Sequence, residues 1–250
     1  ILTQQFNIPE GWSGISTYNL PFDNNVESMF DSILSDLIIL QNETGMYWPT
    51  QNINTLGSWD THEGYQVKVA DNVELTISGA RENNKTLQLA TGWNLIPVLS
   101  ECDVDVATLF DAIDVVIVKE VAGWNVYWPE FGINILPVLQ AGKAYFVLMD
   151  EDVEITFPAG DETKATNGNL LGGELPEGFD LVPTAVTHTI ALPAMGLENI
   201  TKGSIIAAYN DGHCYGAASW KGENTSLTLF GDDPLTEAKD GFVERDLIRI

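Results

Sequence analysis

One recurrence constrains this chain more than any other feature of it. Tyr47-Trp48-Pro49 returns as Tyr127-Trp128-Pro129, Ile53-Asn54 as Ile133-Asn134, and Val73-Glu74-Leu75-Thr76 as Val153-Glu154-Ile155-Thr156, each pair 80 positions apart. A fold that satisfies one copy must also satisfy the other. The chain is therefore expected to build one small module twice, over residues 1–80 and 81–160.

The first module opens with Phe6-Asn7-Ile8, an alternating strand that ends in the turn Pro9-Glu10-Gly11. Val26, Met29, Phe30 and Ile33 then fall at helical spacing, and Asn25 stands where its side chain can cap the first free backbone amides. Leu37-Ile38-Ile39-Leu40 reads as an apolar strand, Met46-Tyr47-Trp48 as another stopped by Pro49, and Tyr65 to Val69 and Val73 to Ile77 as half-buried strands. The second module repeats this order. Gly92-Trp93 answers Gly11-Trp12, and Asp105 stands in the place of Asn25. Val106, Leu109, Phe110 and Ile113 repeat the buried stripe, and Val115 to Val118 the apolar strand. Short strands with one helix per module favour an antiparallel, β-rich α+β fold.

Residues 161–169 are polar and small, and read as a linker. From 170 to 250 the repeat stops. Strand-like runs at Thr189–Leu192, Ser204–Tyr209, Cys214–Trp220 and Ser226–Phe230 are separated by the turn signals Asn210-Asp211-Gly212 and Lys221-Gly222-Glu223-Asn224. Short strands at such intervals suggest a small β-sandwich-like module. Leu247-Ile248-Arg249-Ile250 reads as a further strand with no turn after it, and the chain reads as a piece of a longer protein.

Charge narrows the partners. The 11 basic and 36 acidic side chains leave a formal charge of −25. A chain so acidic is not expected to bind nucleic acid, whose phosphates require Lys and Arg, nor to dock on anionic lipid. No apolar run reaches membrane-spanning length, so membrane insertion is not expected either. The two cysteines, Cys102 and Cys214, lie in different modules, and their pairing is open.

The elements Gly92 to Ile96, Leu109-Phe110, Tyr127 to Pro129, Ile133 to Leu136 and Gly142 to Tyr145 resemble a repeat of secreted, multi-modular Bacteroidetes surface proteins. The first module departs from that pattern at Ser13-Gly14-Ile15 and at Glu63-Gly64-Tyr65. Residues His188 to Ile190, Gly212 to Gly216 and Leu227 to Asp233 resemble a second module of the same proteins, with a departure at Gly203-Ser204. The resemblance implies export to the cell surface or medium by the type IX route, beside other modules of the same polypeptide. It brings no catalytic residue.

Adjacent residues on a strand face opposite ways, so one aromatic of each Tyr-Trp pair is expected outside the core. Tyr47, Trp48, Tyr127 and Trp128, with Trp59 and Trp124, are thus the candidate ligand-binding rings, able to stack on the apolar face of a sugar. Two copies would add avidity on a repetitive polysaccharide or cell-surface glycan. The competing reading makes Trp48 and Trp128 core residues. As a weaker lead, Asp232, Asp233 and Asp240 offer oxygen ligands for a structural Ca2+, although they lack the EF-hand spacing and Asp233-Pro234 is also an ordinary turn opener. Asp103 and Asp105, like Asp23 and Asn25, are read as helix caps rather than as paired catalytic acids. His213 and Cys214 are neighbours on a strand and diverge, so they form no dyad. The expectation is a non-catalytic extracellular or cell-surface binding segment for carbohydrate. The alternative is a structural spacer or adhesive stalk, whose open final strand would accept a neighbour's strand.

Overall fold

A computed structural model describes residues 1–159, 176–179 and 181–250 of the chain. The expected linker at 161–169 lies outside them. Strands dominate, in several antiparallel sheets.

The first unit runs β1 (Leu2–Ile8), β2 (Gly11–Ile15), β3 (Asn19–Pro21), α1 (Val26–Phe30), β4 (Leu37–Gln41), β5 (Met46–Trp48), β6 (Ile53–Asn54), β7 (Tyr65–Val69) and β8 (Val73–Arg81). They form a three-stranded sheet in the order β1-β8-β3 and a five-stranded sheet in the order β2-β7-β4-β5-β6. β1 alternates as its sequence does, with Gln4, Phe6 and Ile8 turned inward. Gln4 is polar and buried, and both ends of its amide are used: Nε2 donates to the Ser16 carbonyl at 3.0 Å and Oε1 accepts from Tyr18 N at 3.1 Å. Asn25 caps α1, its Oδ1 accepting from Ser28 N at 3.1 Å. A 3-10 turn over Asp31–Ile33 follows and carries Ile33 into the same core as Val26 and Phe30.

The second unit runs β9 (Thr86–Leu89), β10 (Gly92–Pro97), β11 (Val104–Asp105), α2 (Val106–Leu109), β12 (Val115–Glu120), β13 (Val126–Trp128), β14 (Ile133–Asn134), β15 (Val138–Leu139), β16 (Ala144–Met149) and β17 (Val153–Thr156). Its five-stranded sheet has the order β10-β16-β12-β13-β14. The registers of the two units can be set side by side. Gly11 pairs with Val69 and Gly92 with Met149; Tyr47 pairs with Asn54 and Tyr127 with Asn134. Each apolar strand carries a bulge at the same point, between Leu37 and Ile39 and between Val115 and Ile117. Asp105 caps α2 by accepting from Thr108 N at 2.7 Å.

The third unit contains β18 (Thr187–Leu192), β19 (Ile205–Asn210), β20 (His213–Ser219) and β21 (Thr225–Phe230). β18 pairs with β21 and β19 with β20, around a core that includes Ile206, Trp220, Leu227 and Leu229. The β19–β20 hairpin turns at Asp211 (φ 47°) and Gly212 (φ 84°), the two positive dihedrals that a tight hairpin needs. The strand expected at Leu247–Ile250 is reduced to a single bridge, Arg249 to Tyr209.

Backbone contact holds the first two units together. Ser16 N donates to the Gly142 carbonyl at 2.9 Å, and Ser16 Oγ to the Lys143 carbonyl at 2.6 Å. Gly14 is required at this seam, since a Cβ there would lie 2.4 Å from the Ala144 carbonyl oxygen. The third unit touches both others, through Asp233 on the first and Thr187 and Asn224 on the second.

Candidate functional site

Strand alternation sorts each Tyr-Trp pair. Tyr47 is buried in the first core, with Trp48 half-buried on the opposite face. Tyr127 is half-buried and packs against the second core. Trp128 is half-buried too, edge-on to Phe131 at 4.8 Å between centroids, in a cluster that includes Ala191 of the third unit. Trp124 is half-buried near the same unit, its carbonyl 3.5 Å from Thr228 Oγ1.

Two nominated rings are corrected outright. Trp59 is only 4 % exposed and Tyr47 8 %. Trp59 stacks on Tyr65 with centroids 3.8 Å apart, and its Nε1 donates to Thr17 Oγ1 at 2.9 Å. Neither ring has a face left for a sugar. Tyr47 is the inward member of its alternating pair, and Trp59 follows a strand but folds back over the core of its own unit. Burial also pushes the Tyr65 hydroxyl well above its ordinary pKa.

The aspartates nominated for Ca2+ accept hydrogen bonds from the protein around them. Asp233, 2 % exposed, accepts at Oδ2 from Lys68 Nζ at 2.7 Å and Trp12 Nε1 at 2.6 Å, and at Oδ1 from Leu235 N at 3.0 Å. Asp240 Oδ1 accepts from Asp233 N, and Asp232 Oδ1 from Asp240 N. They knit a loop and anchor it on the first unit. Burial, the largest single influence, pushes the Asp233 carboxyl up; the hydrogen bonds from Lys68, Leu235 N and Trp12, with the Lys68 charge, outweigh it and hold the pKa below the ordinary value. Among the described residues no group of three or more His, Cys, Asp or Glu is placed to hold a metal. Cys214 is a free thiol, and its Sγ donates to the Gly216 carbonyl at 3.3 Å.

A ring the sequence did not single out is the most open one. All seven tryptophans are described, and only Trp93 is exposed, at 46 %. It projects from β10 opposite Leu148 and stands edge-on to Phe146 at 6.1 Å. Lys119 lies beneath, 4.9 Å from the Trp93 ring centre and 5.5 Å from that of Phe146, while its Nζ donates to Thr187 Oγ1 at 2.7 Å. Burial pulls the Lys119 ammonium down to about 8. Sequence carried no signal that separates Trp93 from Trp12, its counterpart after Gly11. Trp12 is covered by the Asp233 loop and is 9 % exposed.

A cleft of about 690 Å3 opens where the first two units meet, between β1, β2, the turn at Asn72 to Glu74 and the loop Ala141 to Lys143. A second hollow of about 540 Å3 in the first unit is edged by Asn24, Asn42, Asp60 and Glu63. Burial and then the neighbouring Asp60 and Glu43 charges raise the Glu63 carboxyl, although Asn42 donates to it.

No protein-family model, no curated protein and no solved structure matches the chain. Among the described residues, no helix is long and apolar enough to cross a membrane.

Proposed function

We propose that this chain is a non-catalytic binding segment of a larger secreted or cell-surface protein, that its ligand is carbohydrate, and that Trp93 is the ring on which a sugar stacks. One observation carries the reading: Trp93 alone among the tryptophans keeps a large share of its surface in water, while Phe146 and Lys119 brace it from the protein side. A braced ring loses little freedom when a sugar's C–H face covers it. The reading includes two copies of one module, in line with the matched registers of the five-stranded sheets, followed by a β-sandwich-like unit. Pull-down on insoluble polysaccharides and calorimetry with soluble ones test it. Retained binding by Trp93→Ala for every glycan that binds the parent chain would remove the ring from the site.

A second reading is a structural spacer or stalk. It is favoured by the way the third unit is tied to both others, through Trp12 and Lys68 on Asp233 and through Lys119 on Thr187. Such ties suit a rod that holds neighbouring modules at a set distance. Absence of glycan binding, with an elongated and rigid particle in small-angle scattering, would favour it.

A further inference from the structure

We infer that the cleft between the first two units is a second binding site, one for a short stretch of neutral oligosaccharide. Its volume of about 690 Å3 falls in the range of small-molecule sites. Its walls belong to both units: Gln5 to Pro9, Ser13 to Ile15 and Asn72 to Glu74 come from the first, and Ala141 to Lys143 from the second. The seam itself is fixed by the Ser16 hydrogen bonds to Gly142 and Lys143, so the site exists only where the units meet.

Phe6, Ile8, Ile15 and Gly142 line the cleft, but the first three are only 8 %, 4 % and 2 % exposed, so its chemistry is set by the polar groups beside them. Gln5, Asn7, Glu74 and Lys143 stand exposed around it, and Ser13 is half-buried. Among the described residues, none of these five side chains makes a hydrogen bond or ion pair elsewhere. A sugar presents a belt of hydroxyls that both donate and accept. Amides at Gln5 and Asn7 offer both roles, Glu74 accepts and Lys143 donates. The one carboxylate and one ammonium offset each other, so the rim asks for no net charge in the ligand. An anionic polysaccharide would also be repelled by the chain's −25.

β1 and β2 are both edge strands, which makes an extended peptide the competing occupant. A peptide would bind through backbone groups and leave the five free side chains without partners. Carbohydrate uses them.

The inference rests on the carbohydrate reading above but on a different surface from Trp93. The test is calorimetry of the whole chain with short cello-, manno- and xylo-oligosaccharides, with alginate oligosaccharides as the anionic comparison. At least one neutral series is expected to bind and alginate is not. The double variant Gln5→Ala/Lys143→Ala should weaken that binding by roughly tenfold or more, as expected for two lost hydrogen bonds. Ser13→Trp, which fills the cleft, should abolish it. Binding retained in both variants but lost in Trp93→Ala would overturn the cleft and leave the Trp93 reading standing. Tighter binding of alginate than of every neutral series would overturn the cleft's stated chemistry. No binding by the unaltered chain would overturn both proposals.

Discussion

Trp12 Nε1 donates to Asp233 Oδ2 at 2.6 Å across 221 positions of sequence. Lys68, the register partner of Trp12 on β7, reaches the same oxygen at 2.7 Å. A carboxylate buried against apolar surroundings is costly unless it is paired and hydrogen-bonded, and here it is both. This one group clamps the third unit to the first.

Asp233→Asn keeps the shape of that clamp and removes its charge, leaving the Lys68 ammonium, 11 % exposed, without its partner. A loss of about 3 kcal/mol in urea unfolding is expected, with most of it recovered in Lys68→Met/Asp233→Leu. The sign with pH follows from the lowered carboxyl. Its contribution is complete above the ordinary value of 3.8 and is lost as pH falls through the lower folded value. Acid unfolding of the parent chain and of Asp233→Asn should therefore converge in that window.

Lys119 is disfavoured in its charged form where Asp233 is favoured, yet the lowered pKa of each makes stability rise with pH. Its folded pKa of about 8 lies below the ordinary 10.5, so the unfolded chain binds the proton more tightly. Stability supplied by this group therefore rises between those two values and is flat below about 8. Melting curves of the parent chain and Lys119→Met, compared point by point, should show the parent gaining on the variant from pH 8 to 10.5.

At the seam between the first two units, Gly14→Ala would place a Cβ 2.4 Å from the Ala144 carbonyl oxygen and 2.9 Å from Val121 Cγ2. Both neighbours sit on the packed second unit, one of them backbone, so relief requires the units to part. Destabilisation of about 1–3 kcal/mol is expected from such overpacking. Gly57→Ala meets no atom within 4 Å but forces a φ of +67° on alanine, and separates crowding from backbone strain.

Trp59→Ala and Trp93→Ala divide packing from surface. The first removes a ring 4 % exposed, stacked on Tyr65, and should cost about 3–5 kcal/mol in chemical unfolding. The second removes a ring 46 % exposed and should shift the midpoint little, so any change in glycan binding is read on a folded chain.

Asn25→Ala and Asp105→Ala each remove an N-cap acceptor, used at 3.1 Å and 2.7 Å respectively. Each should lower stability by about 0.5–2 kcal/mol. The helices are so short that the cap is a large fraction of what holds them, and loss of amide protection over Val26–Phe30 and Val106–Leu109 is the readout.

What the sequence determined by itself was local. Asn25 and Asp105 cap because a short polar side chain meets free amides within three residues of itself, and Asp211-Gly212 turns because the turn requires positive φ. Tyr47 and Trp48 face apart because a strand alternates. None of these depends on a distant neighbour. Tertiary structure alone decided which outward faces meet water. Trp12 and Trp93 follow glycines in like positions, yet one lies under the Asp233 loop and the other stays open. Asp233, nominated with Asp232 and Asp240 as a metal ligand, is met by Lys68 and Trp12 from far earlier in the chain. The cleft beneath Gln5 and Lys143 likewise exists only once two units are pressed together. Burial is a property of what lands on a surface, and what lands here comes from residues far away in sequence.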